Sequence, residues 1–291
     1  MVRTDDDSWD ITESVGATAL GVAMARAVET ACDCPLFTDH YAQMFLDAVR
    51  RRGWQPPSSG PMAERLRAFA GYAAVRTKWF DEQFVAAGAN GIEQVVILAA
   101  GLDARAWRLP WVDGSIVFEI DQPKVLEFKA QTLAAQNAHP ATSYQAVPVD
   151  LRYDWPKALR KAGFDTAAPT VWVAEGLLPY LPAGAQDQLF ERVADLSSAG
   201  SRVAVESFSP SFFDPEYLAR RREQRNPKIP SAEDLWFVEK RTDLVEWLTQ
   251  RGWEVTAIEA LDLMERYGRL PSGDVEEAVP RSVFVEGRLP G

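Results

Sequence analysis

The stretch Gln94–Asp121, QVVILAAGLDARAWRLPWVDGSIVFEID, decides the fold. Val95–Ala100 is an apolar run rich in β-branched residues and too short for a typical helix. Bounded by Gly91 and Gly101, it predicts a strand buried on both faces, as in the centre of a parallel sheet. Gly101 breaks the run where the chain turns sharply or lets a ligand approach its backbone. A second apolar run, Ile116–Ile120, ends in Asp121, which stands 20 residues beyond Gly101. That is the spacing at which a nucleotide-binding βαβ unit sets an acid on ribose hydroxyls. The dinucleotide fingerprint G-x-G-x-x-G is absent, because Gly101-Leu102-Asp103-Ala104-Arg105 stands in its place. A single-glycine turn with a ribose acid suits an adenosyl ligand without a pyrophosphate, of which S-adenosylmethionine is the common one.

Upstream of this stretch the pattern is helical. Apolar residues recur at helical spacing from Ser14 to Thr30, from His40 to Arg52 and from Met62 to Ala87, with the breaker-rich loop Gly53–Pro61 between the last two. Residues 1–12 are polar and read as a poorly ordered start. Downstream the chain alternates. Asp103–Leu109 reads as a short helix or turn, helices are expected at Pro123–Asn137, Tyr153–Lys161 and Ala183–Ala199, and strands at Ser143–Val149, Thr170–Ala174 and Ser201–Ser207. Pro148 marks its strand as an edge, a bulge or a strand end. Such β-α-β-α order implies an α/β fold, a mostly parallel sheet with right-handed crossovers and helices on both faces. Residues 208–232 interrupt it with prolines and an Arg cluster, an insertion that reads as a lid or as a surface helix-loop. A helix over Asp234–Arg251, a strand at Trp253–Ile258 and a late antiparallel strand at Arg281–Glu286 complete the chain. The expected organisation is one domain over 1–291: a helical extension (1–90), a cofactor-binding core (91–207), the insertion (208–232) and a C-terminal completion of the sheet (233–291).

Composition narrows the partners. The chain has 291 residues and a formal net charge of −11, which argues against a nucleic-acid backbone or an anionic membrane as the main partner. Arg50-Arg51-Arg52 and Arg220-Arg221-Arg222 read as solvated helix ends. Cys32 and Cys34, the only cysteines, cannot build a disulfide framework or, with His40 and His139, an evident zinc site, so no metal is expected. With no apolar leader in MVRTDDDSWD and no apolar run of about 20 residues, a cytoplasmic protein is expected. Oligomeric state has no signature here.

All but one of the candidate site residues stand at strand ends. Gly101 offers close backbone approach or only a tight turn. Asp121 can accept from both hydroxyls of a ribose diol, or cap the helix that starts at Pro123. Asp150 can take the N6 amine of adenine while Leu151 covers its ring, or Asp150 can cap the following helix. Glu175, in Ala174–Leu181 (AEGLLPYL), faces ligand and substrate or pairs with an arginine. Arg76, on the long helix before the sheet, can clamp a carboxylate or lie exposed.

Together these segments resemble the bacterial class I S-adenosylmethionine-dependent methyltransferases related to leucine carboxyl methyltransferases. The matching pieces are Ser14–Thr30 (SVGATALGVAMARAVET), PLFTDHY at 35–41, GYAAVRT at 71–77, VVILAAGLDARAWRL at 95–109, VFEIDQP at 117–123, Val149–Leu151 and AEGLLPYL at 174–181. Each is weak alone and specific in combination. The resemblance implies a Rossmann-like fold and an S-adenosylmethionine site. In that site Arg76 would meet the methionyl carboxylate and Gly101 would form the first turn. Asp121 would hold ribose, Asp150 and Leu151 adenine, and Glu175 the methionine amine. One departure is plain: the carboxyl methyltransferases place an N-terminal lysine near the cofactor, and Ala17–Thr30 has none. A small-molecule acceptor fits that better than a protein C-terminus. The expected reaction is O-methylation of a carboxylate or hydroxyl by direct displacement. His40, His139 and Tyr180 are the candidate bases for a hydroxyl acceptor, with nothing to select among them, so no catalytic residue is assigned. The alternatives are a nicotinamide-dependent oxidoreductase and a non-catalytic protein that binds the nucleoside.

Overall fold

The structure is a computed structural model that describes residues 14–55, 60–224, 235–270 and 280–291. The polar start at 1–12, part of the 53–61 loop and residues 225–232 of the expected insertion lie outside the described residues.

Three helices come first: α1 (Ser14–Thr30), α2 (His40–Arg51) and α3 (Gly60–Ala89). Asp39 caps α2 by accepting from the backbone N–H groups of Tyr41 and Ala42. The sheet then follows as β1 (Gln94–Leu98), α4 (Arg105–Arg108), β2 (Ile116–Asp121), α5 (Pro123–Ala134), β3 (Ser143–Pro148), α6 (Trp155–Lys161), β4 (Thr170–Ala174), α7 (Ala183–Asp195) and β5 (Arg202–Phe208). Beyond it come α8 (Pro215–Gln224), α9 (Leu244–Gln250), β6 (Glu254–Glu259), α10 (Ala260–Arg266) and β7 (Ser282–Arg288). The strand order is β3-β2-β1-β4-β5-β7-β6. The first five strands in the chain run parallel, and β7 pairs antiparallel with both β5 and β6. β3 is the parallel edge, and Pro148 ends it opposite Asp121.

Both sheet faces are buried, which is why the central strands are continuously apolar. Val95, Ile97, Val117, Val173 and Ala204 share one core with residues of α1 to α5 and α10. Val96, Leu98, Phe118, Trp172, Val203 and Val205 share another with residues of α6, α7 and α9. A small third cluster joins Phe208, Phe212 and Tyr217 to Phe213, Leu218 and Trp236.

Two expectations fail beyond β5. The helix expected over Asp234–Arg251 is only α9, because residues 236–243 are not helical. That segment is used as a strap: Phe237 N–H donates to Pro179 O, and Arg241 donates to the carbonyls of Leu178, Leu181 and Phe237. Tertiary bonds there override an apolar periodicity. Helix α10 was not expected at all, since its seven residues are too few to establish a period.

Candidate functional site

The parallel order with β1 at its middle places the carboxyl ends of β3, β2, β1 and β4 side by side, where ligands bind in open α/β sheets. The turn begins two residues earlier than Gly101, since β1 ends at Leu98. Ala99 has φ of 56° and Gly101 of 52°, both left-handed. At Ala99 this is strained backbone of the kind that collects at binding sites. At Gly101 a side chain would be strained and would also meet the Ala19 methyl of α1 at 3.6 Å. Helix α1 therefore roofs this turn, and Arg26 fixes it by donating to Leu102 O at 2.6 Å.

Asp121 ties the turn to β2. Its Oδ2 accepts from Gly101 N–H and its Oδ1 from Gln122 N–H, each at 2.6 Å. Burial raises its pKa above the ordinary value, against the opposing pull of these two N–H groups. The N-cap of α5 is Gln122, without a side-chain bond, so Asp121 does not act as that cap. Gln122 Nε2 in turn donates to Asp150 Oδ2 at 3.2 Å. Asp150 also accepts from the Arg152 backbone and guanidinium, while the cap of α6 is Asp154. Leu151 is half-buried against the second core.

On the other side of β1, Glu175 follows β4. Its Oε1 faces Arg76 Nε at 3.0 Å and its Oε2 faces Arg105 Nη1 at 2.7 Å. Arg76 is buried, 6% exposed, not the surface arginine that the bare sequence allowed. Burial alone would lower its pKa, but Glu206 and Glu175 outweigh that and raise it. Its Nη1 pairs with Glu206 Oε2 at 3.1 Å, and its Nη2 makes no hydrogen bond among the described residues.

Several buried groups here were not singled out from sequence. Glu206 on β5 also accepts from Tyr72 Oη and, at 2.8 Å, from Gly176 N–H. Arg105, 1% exposed, bonds Asp81, Asp103 and Glu175 at once. Arg108 continues the chain to Asp81, and Arg26 stands 3.4 Å from Asp39. An alternating run of buried charges thus joins α1, α2 and α3 to the ends of β4 and β5. The available signal was a lone charge inside an apolar strand, as in VFEI and VAVE. His40 is exposed at the start of α2, and His139 is exposed before β3, at the opposite end of the strands. Cys32 and Cys34 are exposed and unbridged, and no metal-holding group occurs among the described residues.

Residues 19–194 match the leucine carboxyl methyltransferase family, a span that includes every one of the six expected site residues. The chain belongs to this family. A relative from Mycolicibacterium paratuberculosis, named "Putative S-adenosyl-L-methionine-dependent methyltransferase", is 51% identical over 98% of this chain and 96% of its own length. A relative of the same name from Mycobacterium marinum is 51% identical over 98% of each. Among solved structures, a DUF574-family protein from Streptomyces avermitilis superposes with a TM-score of 0.58 at 15% identity, over 94% of this chain and 97% of that one. That likeness shows the fold, a Rossmann-like α/β sheet. Helix α1 carries a single cation, Arg26, and it is committed to Leu102 and Asp39.

Proposed function

We propose that the protein methylates an oxygen, a carboxylate or hydroxyl, of a small molecule, with S-adenosylmethionine as donor. The coarser statement follows from kinship: relatives at 51% identity over nearly the whole chain carry the name of S-adenosyl-L-methionine-dependent methyltransferases, and this chain is one. Bound S-adenosylmethionine supplies an electrophilic methyl group on a sulfonium.

The observation that carries the site is the Asp121–Gly101 hydrogen bond at the adjacent ends of β2 and β1. A carboxylate offers about four lone-pair sites. Asp121 uses two on backbone N–H groups, leaving capacity for a ribose diol. In this reading Asp150 takes the adenine amine and Leu151 covers the ring. Glu175, already oriented by Arg76 and Arg105, takes the methionine amine. Arg76 offers Nη2 to the methionyl carboxylate, with Nε and Nη1 held by Glu175 and Glu206. With no side chain at Gly101, the chain that links sugar and sulfur would lie against its backbone.

The work of the protein is alignment. Asp121, Asp150, Glu175 and Arg76 would hold the donor, whose sulfonium would supply the methyl group to a substrate oxygen and keep the electron pair of the broken carbon–sulfur bond. A carboxylate acceptor needs no base, so proximity supplies most of the rate. The absence of a lysine from α1 favours a small molecule over a protein C-terminus, and the net charge of −11 disfavours nucleic acid and anionic membranes. No described helix is long and apolar enough to cross a membrane.

Calorimetric titration with S-adenosylhomocysteine, followed by an acceptor screen with labelled methyl donor, tests this. Micromolar binding and transfer to a small acid or alcohol are expected. Tight binding with no transfer across a broad screen would favour a nucleoside-binding protein instead.

A further inference from the structure

A second cleft lies between α4, α5 and the start of β3. Its volume is about 290 Å³, and its lining includes Trp107, Lys129, Leu133, Ala134, His139 and Tyr144. Ala134 and His139 are exposed at the rim, whereas Trp107 and Lys129 are 9% and 1% exposed. A water molecule occupies about 30 Å³ in the liquid, so a single-ring compound fits.

The inner wall is chemically unsatisfied. Trp107 Nε1 is buried and has no hydrogen-bond partner among the described residues. The Lys129 ammonium has three donors, yet its one hydrogen bond there is to Glu119 Oε2, at 2.5 Å. Tyr144 Oη donates to that same oxygen at 2.8 Å. The ammonium sits 4.9 Å from the Trp107 ring centroid and 5.9 Å from that of Tyr144. The Trp107 indole, the Lys129 side chain and the Tyr144 ring therefore line one space, with Leu133 and Ala134 as its apolar side.

Charge selects the occupant. Glu119 already neutralises Lys129, and the carboxylates of Asp103 and Asp121 also act on that ammonium. An anion entering here would meet a buried lysine that is already paired with Glu119. We infer that this cleft binds an uncharged aromatic compound whose hydroxyl or carbonyl oxygen accepts from Trp107 Nε1 and Lys129. The inference does not depend on the methyltransferase reading, because none of the six residues of that site lines the cleft.

The test uses ¹⁵N-labelled full-length protein, with p-cresol as the uncharged probe and p-toluate as its anionic counterpart. Trp107→Phe identifies the Trp107 indole resonance. With p-cresol that resonance should move and saturate, more than any other indole signal. Ala134→Phe, at an exposed rim position, should weaken the response about tenfold by filling the mouth. Toluate should bind less well than cresol. A Trp107 signal that stays in place would mean a hydrated pit only, and an unchanged response in Ala134→Phe would put the probe elsewhere. Either result, or tighter binding of toluate, overturns the proposal.

Discussion

At the scale of single residues, Asp121 and Arg105 separate ligand binding from folding. Asp121→Ala should lower S-adenosylhomocysteine affinity by about 1–3 kcal/mol, the loss of hydrogen bonds to a charged group, with an unchanged circular dichroism spectrum. Unchanged affinity would leave Asp121 with only its part in holding the Gly101 turn. Arg105→Met should act on the fold. It would strand Asp81, Asp103 and Glu175 without their shared cation, at a cost of about 3–5 kcal/mol in urea unfolding. A midpoint close to wild type would show that the three acids find other partners. Of the six residues named from the sequence, five lie at four adjacent strand ends and Arg76 reaches them from α3; Gly101 bonds Asp121, Arg76 bonds Glu175, and Gln122, next to Asp121, bonds Asp150. Their partners were less legible. Apart from the Arg105–Asp103 pair, Tyr72, Arg105 and Glu206 bond partners far away in the chain, and no local spacing encodes those contacts.

At the scale of elements, every strand was legible, the exposed β3 and β6 as well as the buried ones. β1, β2, β4 and β5 were readable because a strand covered on both faces must be apolar throughout. The Asp234–Arg251 segment was not, because its fate depends on Arg241 reaching carbonyls of the β4–α7 connection rather than on its own period. The antiparallel strand β7 offers a sharp test of packing. A Cβ on Gly287 would stand 2.7 Å from Val203 Cγ2 and 3.4 Å from the Trp253 ring. Valine is stiff at χ1 and cannot swing aside cheaply. Gly287→Ala should therefore destabilise the protein by about 1–3 kcal/mol in denaturant titration. A neutral result would mean that β5 and β7 move apart more readily than a close-packed sheet allows.

At the scale of the molecule, the buried charges give acid sensitivity a direction. Burial works to raise the Asp103 pKa, but Arg105, Lys129 and Arg26 outweigh it and hold the group at about 2, against an ordinary 3.8. A depressed carboxyl contributes stability that is present above its unfolded value and lost as pH falls toward its folded one. The contribution is about 2 kcal/mol, lost between roughly pH 4 and 2. Asp121 and Glu119, whose values burial raises, oppose this trend. Unfolding free energies of Asp103→Asn should consequently fall less steeply than wild type over that window. Parallel acid limbs would assign the sensitivity to other carboxylates. The order β5-β7-β6 has a consequence for biosynthesis. β6 borders the sheet only through β7, and 22 residues separate them in the chain. A nascent polypeptide halted after Glu259 holds the whole parallel half yet exposes the β5 edge and an unpaired β6. Until Ser282–Arg288 leaves the ribosome, that edge is open to neighbouring chains, so synthesis of this protein should lean on chaperones late rather than early.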